Sequence, residues 1–231
     1  MKPRLVIIRP QPGGDATAAL AAEAGFDPVV MPLFAVEPVD WQAPPPGEYD
    51  ALLIASANVL RHGGADLDRY RSLPVYAVGA QTARMATDAG FTVVHAGTGG
   101  IHRLLPVVTA HGHHRALRLS GADNIALPDD NDLTIDTVKV YAARALPAGN
   151  PPQWPGRGAI VALHSARAAR HWTAECDRLG LARADIAIAA FAPAIAEAAG
   201  TGWRAVAVAE HPDDVALLSA AKSLANSNTQ T

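Results

Sequence analysis

LLIASANVLR, residues 52–61, and VALHSARAAR, residues 161–170, decide how this chain is read, because they say nearly the same thing twice. Each is a short apolar run closed by a serine and followed by a polar, helix-like stretch. The echo continues downstream. VYAVGAQTARMATDAGFTVVHAGTGGIHRLLPVV (75–108) is answered by IAIAAFAPAIAEAAGTGWRAVAVAEHPDDVALLSAA (186–221). Both run strand, turn, helix, Gly plus aromatic, strand, turn, helix. A period of roughly 110 residues exceeds any solenoid repeat and matches a small domain. The chain therefore reads as two similar α/β lobes, with the natural place for a ligand between them.

Strands alternate with helices at the spacing of parallel sheets joined by right-handed crossovers. Several runs, LVII (5–8), ALLI (51–54) and AIVAL (159–163), are apolar throughout, as strands buried on both faces must be. Asp15 is the expected cap of a helix running to Ala24 and stopped by Gly25. Two proline-rich stretches interrupt the pattern, PLFAVEPVDWQAPPPGEYD (32–50) and ALPAGNPPQWPGRG (145–158), and their composition is that of linkers. The N-terminal β-α-β unit is too small to stand alone, and the last segment is short of strands. The two join into one discontinuous lobe, 1–33 plus 147–231, with 38–143 as the other lobe. The connections 34–37 and 144–146 lie side by side as a hinge, and closure on a ligand is expected.

The 231 residues carry 49% hydrophobic and 18% charged side chains and a formal charge of −3. That balance fits a globular protein and argues against general affinity for nucleic acid or anionic membrane. Cys176 is the single cysteine, so no internal disulfide forms, and it reads as a small helix residue. The opening MKPRLVIIRP has too short an apolar run for a signal peptide, so a cytoplasmic protein is expected.

Ser56 and Ser165 occupy equivalent places at the carboxyl end of a strand before a helix. Either hydroxyl satisfies an orphan backbone N–H as a cap or helps form an anion site at the helix N-terminus. Thr82 lies in the first helical positions of VGAQTARMA (78–86), and the matching segment of the other lobe puts Ile195 or Ala194 opposite it, so the hydroxyl has no counterpart there. GTGG (97–100) lacks the spacing of a phosphate loop. HGHH (111–114) fits no usual zinc pattern, so no metal is expected. His164 and His171 are seven apart, on one face of a helix, and read as satisfied surface or interface histidines. Tyr141 ends the strand TIDTVKVY where the second linker begins, placed to donate a hydrogen bond at the cleft mouth.

The chain also resembles the uroporphyrinogen-III synthase family. The likeness runs through IIRP (7–10), PLFAVEPV, YDALLIASANVLR, LPVYAVGAQTARMATDAGF, VKVYAA, IVALHSARAA and AFAPAIAEAAGTGWRAVAVAEHPDDVALLSA, in that order. The resemblance implies two flavodoxin-like parallel-sheet lobes joined by a two-segment hinge. It implies a cofactor-free lyase that closes hydroxymethylbilane into uroporphyrinogen III, inverting the last pyrrole ring and losing water. By the same resemblance Tyr141 assists departure of the substrate hydroxyl. Ser56, Thr82 and Ser165 match positions that bind its carboxylate arms, and Ala57 and Arg9 are assigned with them. No metal, nucleic-acid or membrane partner is implied, and a monomer is expected. A second reading, from a different class, is a non-catalytic two-lobed small-molecule binding protein. It explains the repeat and the hinge, but such binders usually carry a signal peptide.

Overall fold

The computed structural model describes residues 2–127, 132–149 and 158–227. The chain divides into two compact units, Met1–Ala35 with Arg144–Thr231, and Val36–Ala143.

The first unit is built on a parallel sheet of β1 (Arg4–Ile7), β2 (Asp27–Val30), β9 (Ile160–Leu163), β10 (Ala187–Ala190) and β11 (Ala205–Val208), in the order β11-β10-β9-β1-β2. β9 and β10 are buried along their whole length, which is why their sequences do not alternate. α1 (Gly13–Glu23) and α7 (Asp214–Ser227) pack on one face through Ala21, Leu217, Leu218, Ala221 and Leu224. α5 (Ala166–Leu179) and α6 (Pro193–Ala198) follow β9 and β10. Asp15 is not the cap of α1. The helix begins two residues earlier, and the Asp15 amide donates instead to Oε1 of Gln11 at 3.0 Å.

The sheet of the second unit comprises β3 (Phe34–Pro38), β4 (Ala51–Ile54), β5 (Val75–Val78), β6 (Val93–Gly97), β7 (Arg115–Gly121) and β8 (Thr134–Ala145), in the order β3-β8-β7-β4-β5-β6, with β3 starting and β8 ending two residues outside the unit's bounds. α2 (Asn58–His62) follows β4, α3 (Ala80–Asp88) follows β5 and α4 (Ile101–Ala110) follows β6. Side chains leave β4 to opposite faces in turn. Leu52 and Ile54 join Ala86 of α3, and Ala51 and Leu53 join Ile101, Leu104, Leu105 and Val108 of α4. The sheet is thus covered on both sides, with α3 and α4 on opposite faces.

β3 falls within the first proline-rich stretch. Backbone bonds join Val39 to Val140 and Leu33 to Leu146, partner numbers falling as the others rise, so this edge is antiparallel. Proline is tolerated there because an edge strand leaves N–H positions that need no partner.

Relabelled in chain order within each unit, the first sheet reads 2-1-3-4-5, the flavodoxin order, and strands β4 to β8 of the second read 3-2-1-4-5. Starting the first sheet at β9 makes the two identical. The internal repeat is one arrangement opened at two places in the chain, with β4 matching β9, β5 matching β10, β6 matching β11 and β7 matching β1.

Candidate functional site

In the second unit the strand order reverses between β4 and β7, since α3 and α4 leave to opposite faces. Ligands of such sheets bind outside the carboxyl ends of the strands at this reversal. A cleft of about 210 Å³ lies there, lined by Ala55 and Ser56 after β4, Ser120 and Gly121 ending β7, Tyr141 on β8, and Gly100 and Ile101 opening α4. Arg118 and the segment Asp123–Ile125 complete the wall.

Tyr141 reaches the cleft through an irregularity. β7 and β8 pair in step from Arg115↔Thr134 to Ser120↔Lys139, and then Gly121 pairs with Tyr141. One residue of β8, Val140, is bulged out, which re-aims the side chain after it. The Tyr141 carbonyl accepts from the Ala122 amide at 2.8 Å, fixing the backbone on both sides of the bulge. His62 stands 6.2 Å away, centroid to centroid.

Arg118 is only 3% exposed. Its Nη1 donates to the Ile125 carbonyl at 2.9 Å, and its buried Nε–H meets no acceptor. Burial disfavours the charged form and lowers its pKa, while the Tyr141 hydroxyl nearby works in the other direction. A guanidinium keeps its proton even so. Besides the carboxylate of Asp123, the other polar side chains of the wall are neutral. Ser120 Oγ and Asn124 Nδ2 both donate to the Gly121 carbonyl at 3.1 Å, and Ser56 Oγ accepts from the Asn58 amide at 3.2 Å. The cleft thus offers a phenol, hydroxyls, the start of α4 and one guanidinium, a set suited to holding an anionic ligand and giving a proton to a leaving group.

The structure brings Ser56 and Tyr141 together in this cleft. Ala57, the residue before α2, is buried beside Ser56. Thr82 is buried on α3 and is not among the residues lining the cleft. Ser165 belongs to the first unit, where it caps α5 by accepting from the Ala168 amide at 3.1 Å. Arg9 follows β1 at the matching reversal of the first sheet. Its Nη1 donates to Thr17 at 3.1 Å and pairs with Asp214 at 3.2 Å.

His164 is not a surface residue on the helix of His171. It precedes the Ser165 cap, its side chain is 8% exposed, and its Nε2 lies 3.1 Å from Asp214 with Phe191 packed edge-on against the ring. Desolvation first, and then Arg9, hold its pKa below the usual imidazole value, outweighing the Asp214 contact that favours the cation. His171 instead meets the Leu146 carbonyl at 2.8 Å and the Phe34 ring. Of the HGHH segment, His111 Nδ1 is 2.7 Å from the Tyr76 hydroxyl and His113 packs on the same ring. The Cys176 thiol is buried in α5, and burial pushes its pKa up to about 12, so it is a packing group.

Gly100, Arg118, Ser120 and Gly121 are cleft residues that sequence reading does not single out. Arg118 leaves one signal, a charge inside the otherwise apolar run ALRLSG (116–121). The others leave none, because the cleft gathers residues from four separate strand–loop junctions.

These features define a class: a two-unit α/β protein of doubly wound parallel sheets, with a cleft at the reversal of one sheet. The family model described as uroporphyrinogen-III synthase HemD matches residues 15–219. The chain belongs to the uroporphyrinogen-III synthase family, enzymes of haem biosynthesis. A solved structure of uroporphyrinogen-III synthetase from Helicobacter pylori 26695 shares the fold, with a TM-score of 0.64 at 16% identity, covering 97% of this chain and 100% of that one. A uroporphyrinogen III synthase structure from Thermus thermophilus matches with a TM-score of 0.40 at 17% identity, over 96% and 99% of the two chains. Comparison with curated proteins gives no match. Among the described residues no helix is long and apolar enough to cross a membrane.

Proposed function

We propose that the protein acts as a lyase that closes linear hydroxymethylbilane into uroporphyrinogen III, inverting the last pyrrole ring and releasing water. The family match through residues 15–219, which runs across both units, carries this reading. Tyr141 is the hydrogen-bond donor to the departing hydroxyl. A hydroxyl held in this wall gives a hydrogen bond to the departing group, and a placed donor of this kind speeds a step by about 10²–10⁴-fold. The hydroxyl leaves with a proton as water, and the resulting azafulvene is attacked by the far pyrrole to give a spiro-pyrrolenine. That intermediate fragments and recloses the other way round.

The bilane closes unaided to the symmetrical isomer, so the enzyme needs no strong nucleophile. Its task is to hold one conformation, and positioning alone reaches effective molarities of roughly 10⁵ M or more. Ser56, Ala57, Thr82 and Ser165 are assigned to carboxylate arms of the substrate, and Arg9 is assigned with them as a neighbouring donor whose charge Asp214 already balances. For Ser165 the capping bond uses only a lone pair, which leaves its O–H free to donate. We assign the activity to a monomer working in the cytoplasm without metal or organic cofactor.

The test is incubation of the protein with hydroxymethylbilane and chromatographic separation of the I and III isomers. Predominance of isomer III is expected. An isomer ratio equal to that of buffer alone overturns the reading and leaves a carboxylate-binding protein in its place.

A further inference from the structure

The two reversals, matched by the repeat, treat their positive charge differently. In the first unit Arg9 pairs with Asp214 at 3.2 Å, and Asp214 is the first residue of α7. Thr17 and His164 also bond this carboxylate, so the charge is neutralised from within the chain. In the second unit α4 stands where α7 stands in the first, and its first turn contains no acidic residue. Gly100 precedes it with φ 94° and offers no side-chain cap. Arg118, 3% exposed, lines the same cleft with its Nε–H unmet.

Arg118 is also unlike its neighbour on β7. Arg115 is exposed and pairs with Asp136 at 2.9 Å and Glu48 at 3.5 Å. A charged group taken out of water without a counterion costs several kcal/mol, and a chain keeps such a group only where something else repays that cost. Among the described residues, Asp123 is the acidic residue of the cleft wall, and its side chain is exposed.

We propose that this cleft is a carboxylate-binding site in which the Nε edge of Arg118 and the first amides of α4 together receive one carboxylate group of an organic acid. Arg118 supplies the counter-charge and α4 the unpaired N–H groups and the positive end of its dipole, the role Asp214 fills internally in the first unit. That the carboxylate is an arm of the bilane rests on the reaction proposed above. Its carboxylate selectivity does not. With Tyr141 in the same wall, an arm held at Arg118 sets the distance from the phenol to the reacting end of the substrate.

The test has two readouts. Succinate is titrated into the full chain labelled with ¹⁵N at constant ionic strength, following the Arg118 Nε–H and Ile101 amide signals. Both are expected to shift along one saturable curve, and R118M is expected to abolish the shift at Ile101. In the isomer assay R118M raises KM for hydroxymethylbilane about ten-fold or more, R118K recovers part of the loss, and isomer III still forms. Because Met removes an unpaired buried charge, R118M unfolds at no lower temperature than wild type. A silent Arg118 Nε–H through saturation, or equal succinate affinity in R118M, overturns the carboxylate site whatever the isomer assay gives. If R118M instead fails to fold, Arg118 is structural and the proposal falls unless the wild-type Nε–H titrates. Saturable succinate binding together with an unchanged isomer ratio leaves the site standing and removes the enzyme reading alone.

Discussion

Tyr141 lies over Gly121 so closely that a Cβ on the glycine would sit 2.6 Å from the ring Cε2, 2.7 Å from Cζ and 3.0 Å from the hydroxyl. The absence of a side chain at Gly121 is what lets the phenol occupy the cleft wall. Gly121→Ala is therefore expected to push the ring out and lower the rate of isomer III formation, and Tyr141→Phe to lower it by about 10²-fold without abolishing it. Wild-type turnover in G121A shows that the ring position does not matter, and wild-type turnover in Y141F removes the hydroxyl from the mechanism.

Acid weakens the first unit through His164. Its pKa in the folded chain lies below the ordinary 6.5, so the unfolded chain binds the extra proton more readily. Its contribution is complete above that value and is lost as pH falls below it. The urea midpoint of wild type is expected to fall between pH 8 and pH 5, and His164→Asn, which cannot take up a proton, to flatten part of that fall. Parallel curves for the two proteins would show that the proton goes elsewhere.

Glu175 weakens the same unit in acid, in a lower pH range. Its side chain is 8% exposed and accepts from Arg178 at 2.6 Å and from the Ala148 amide at 2.6 Å, and Arg178 holds its pKa below the carboxylate value of 4.5. The stabilisation is present above that value and lost as pH falls through the lowered one. Glu175→Gln is expected to cost about 1–3 kcal/mol at pH 7, with the two proteins converging in acid. A constant gap from pH 7 to pH 3, measured by denaturant unfolding, contradicts the charge argument.

Ser165 caps α5 with its side-chain oxygen, which accepts from the Ala168 amide. Ser165→Ala is expected to lower the unfolding free energy by about 1 kcal/mol, and Ser165→Thr to restore most of it. Equal midpoints for wild type and S165A would mean that the capping bond contributes nothing.

The sequence by itself determined the doubling and the strands and helices whose signals are local. β4, β9 and β10 are legible because a strand covered on both faces must be apolar along its length, and α1 ends where Gly25, with φ 92°, turns the chain. Capping at Ser165 is legible because the cap is local, made three residues away. The tertiary structure decided everything that depends on partners distant in sequence. The composition of the first proline-rich stretch hides β3, since pairing with β8 and not propensity makes it a strand. His164 falls one residue before a helix start, and its burial is set by Asp214, fifty residues on. The bulge at Val140 that turns Tyr141 onto Gly121 depends on the register of β7 against β8, a relation between strands that no spacing within either one encodes. Arg118 announces a charge in an apolar run, but whether a carboxylate answers it is settled only when the strands and α4 are assembled around it, because a counter-charge acts through space and not along the chain.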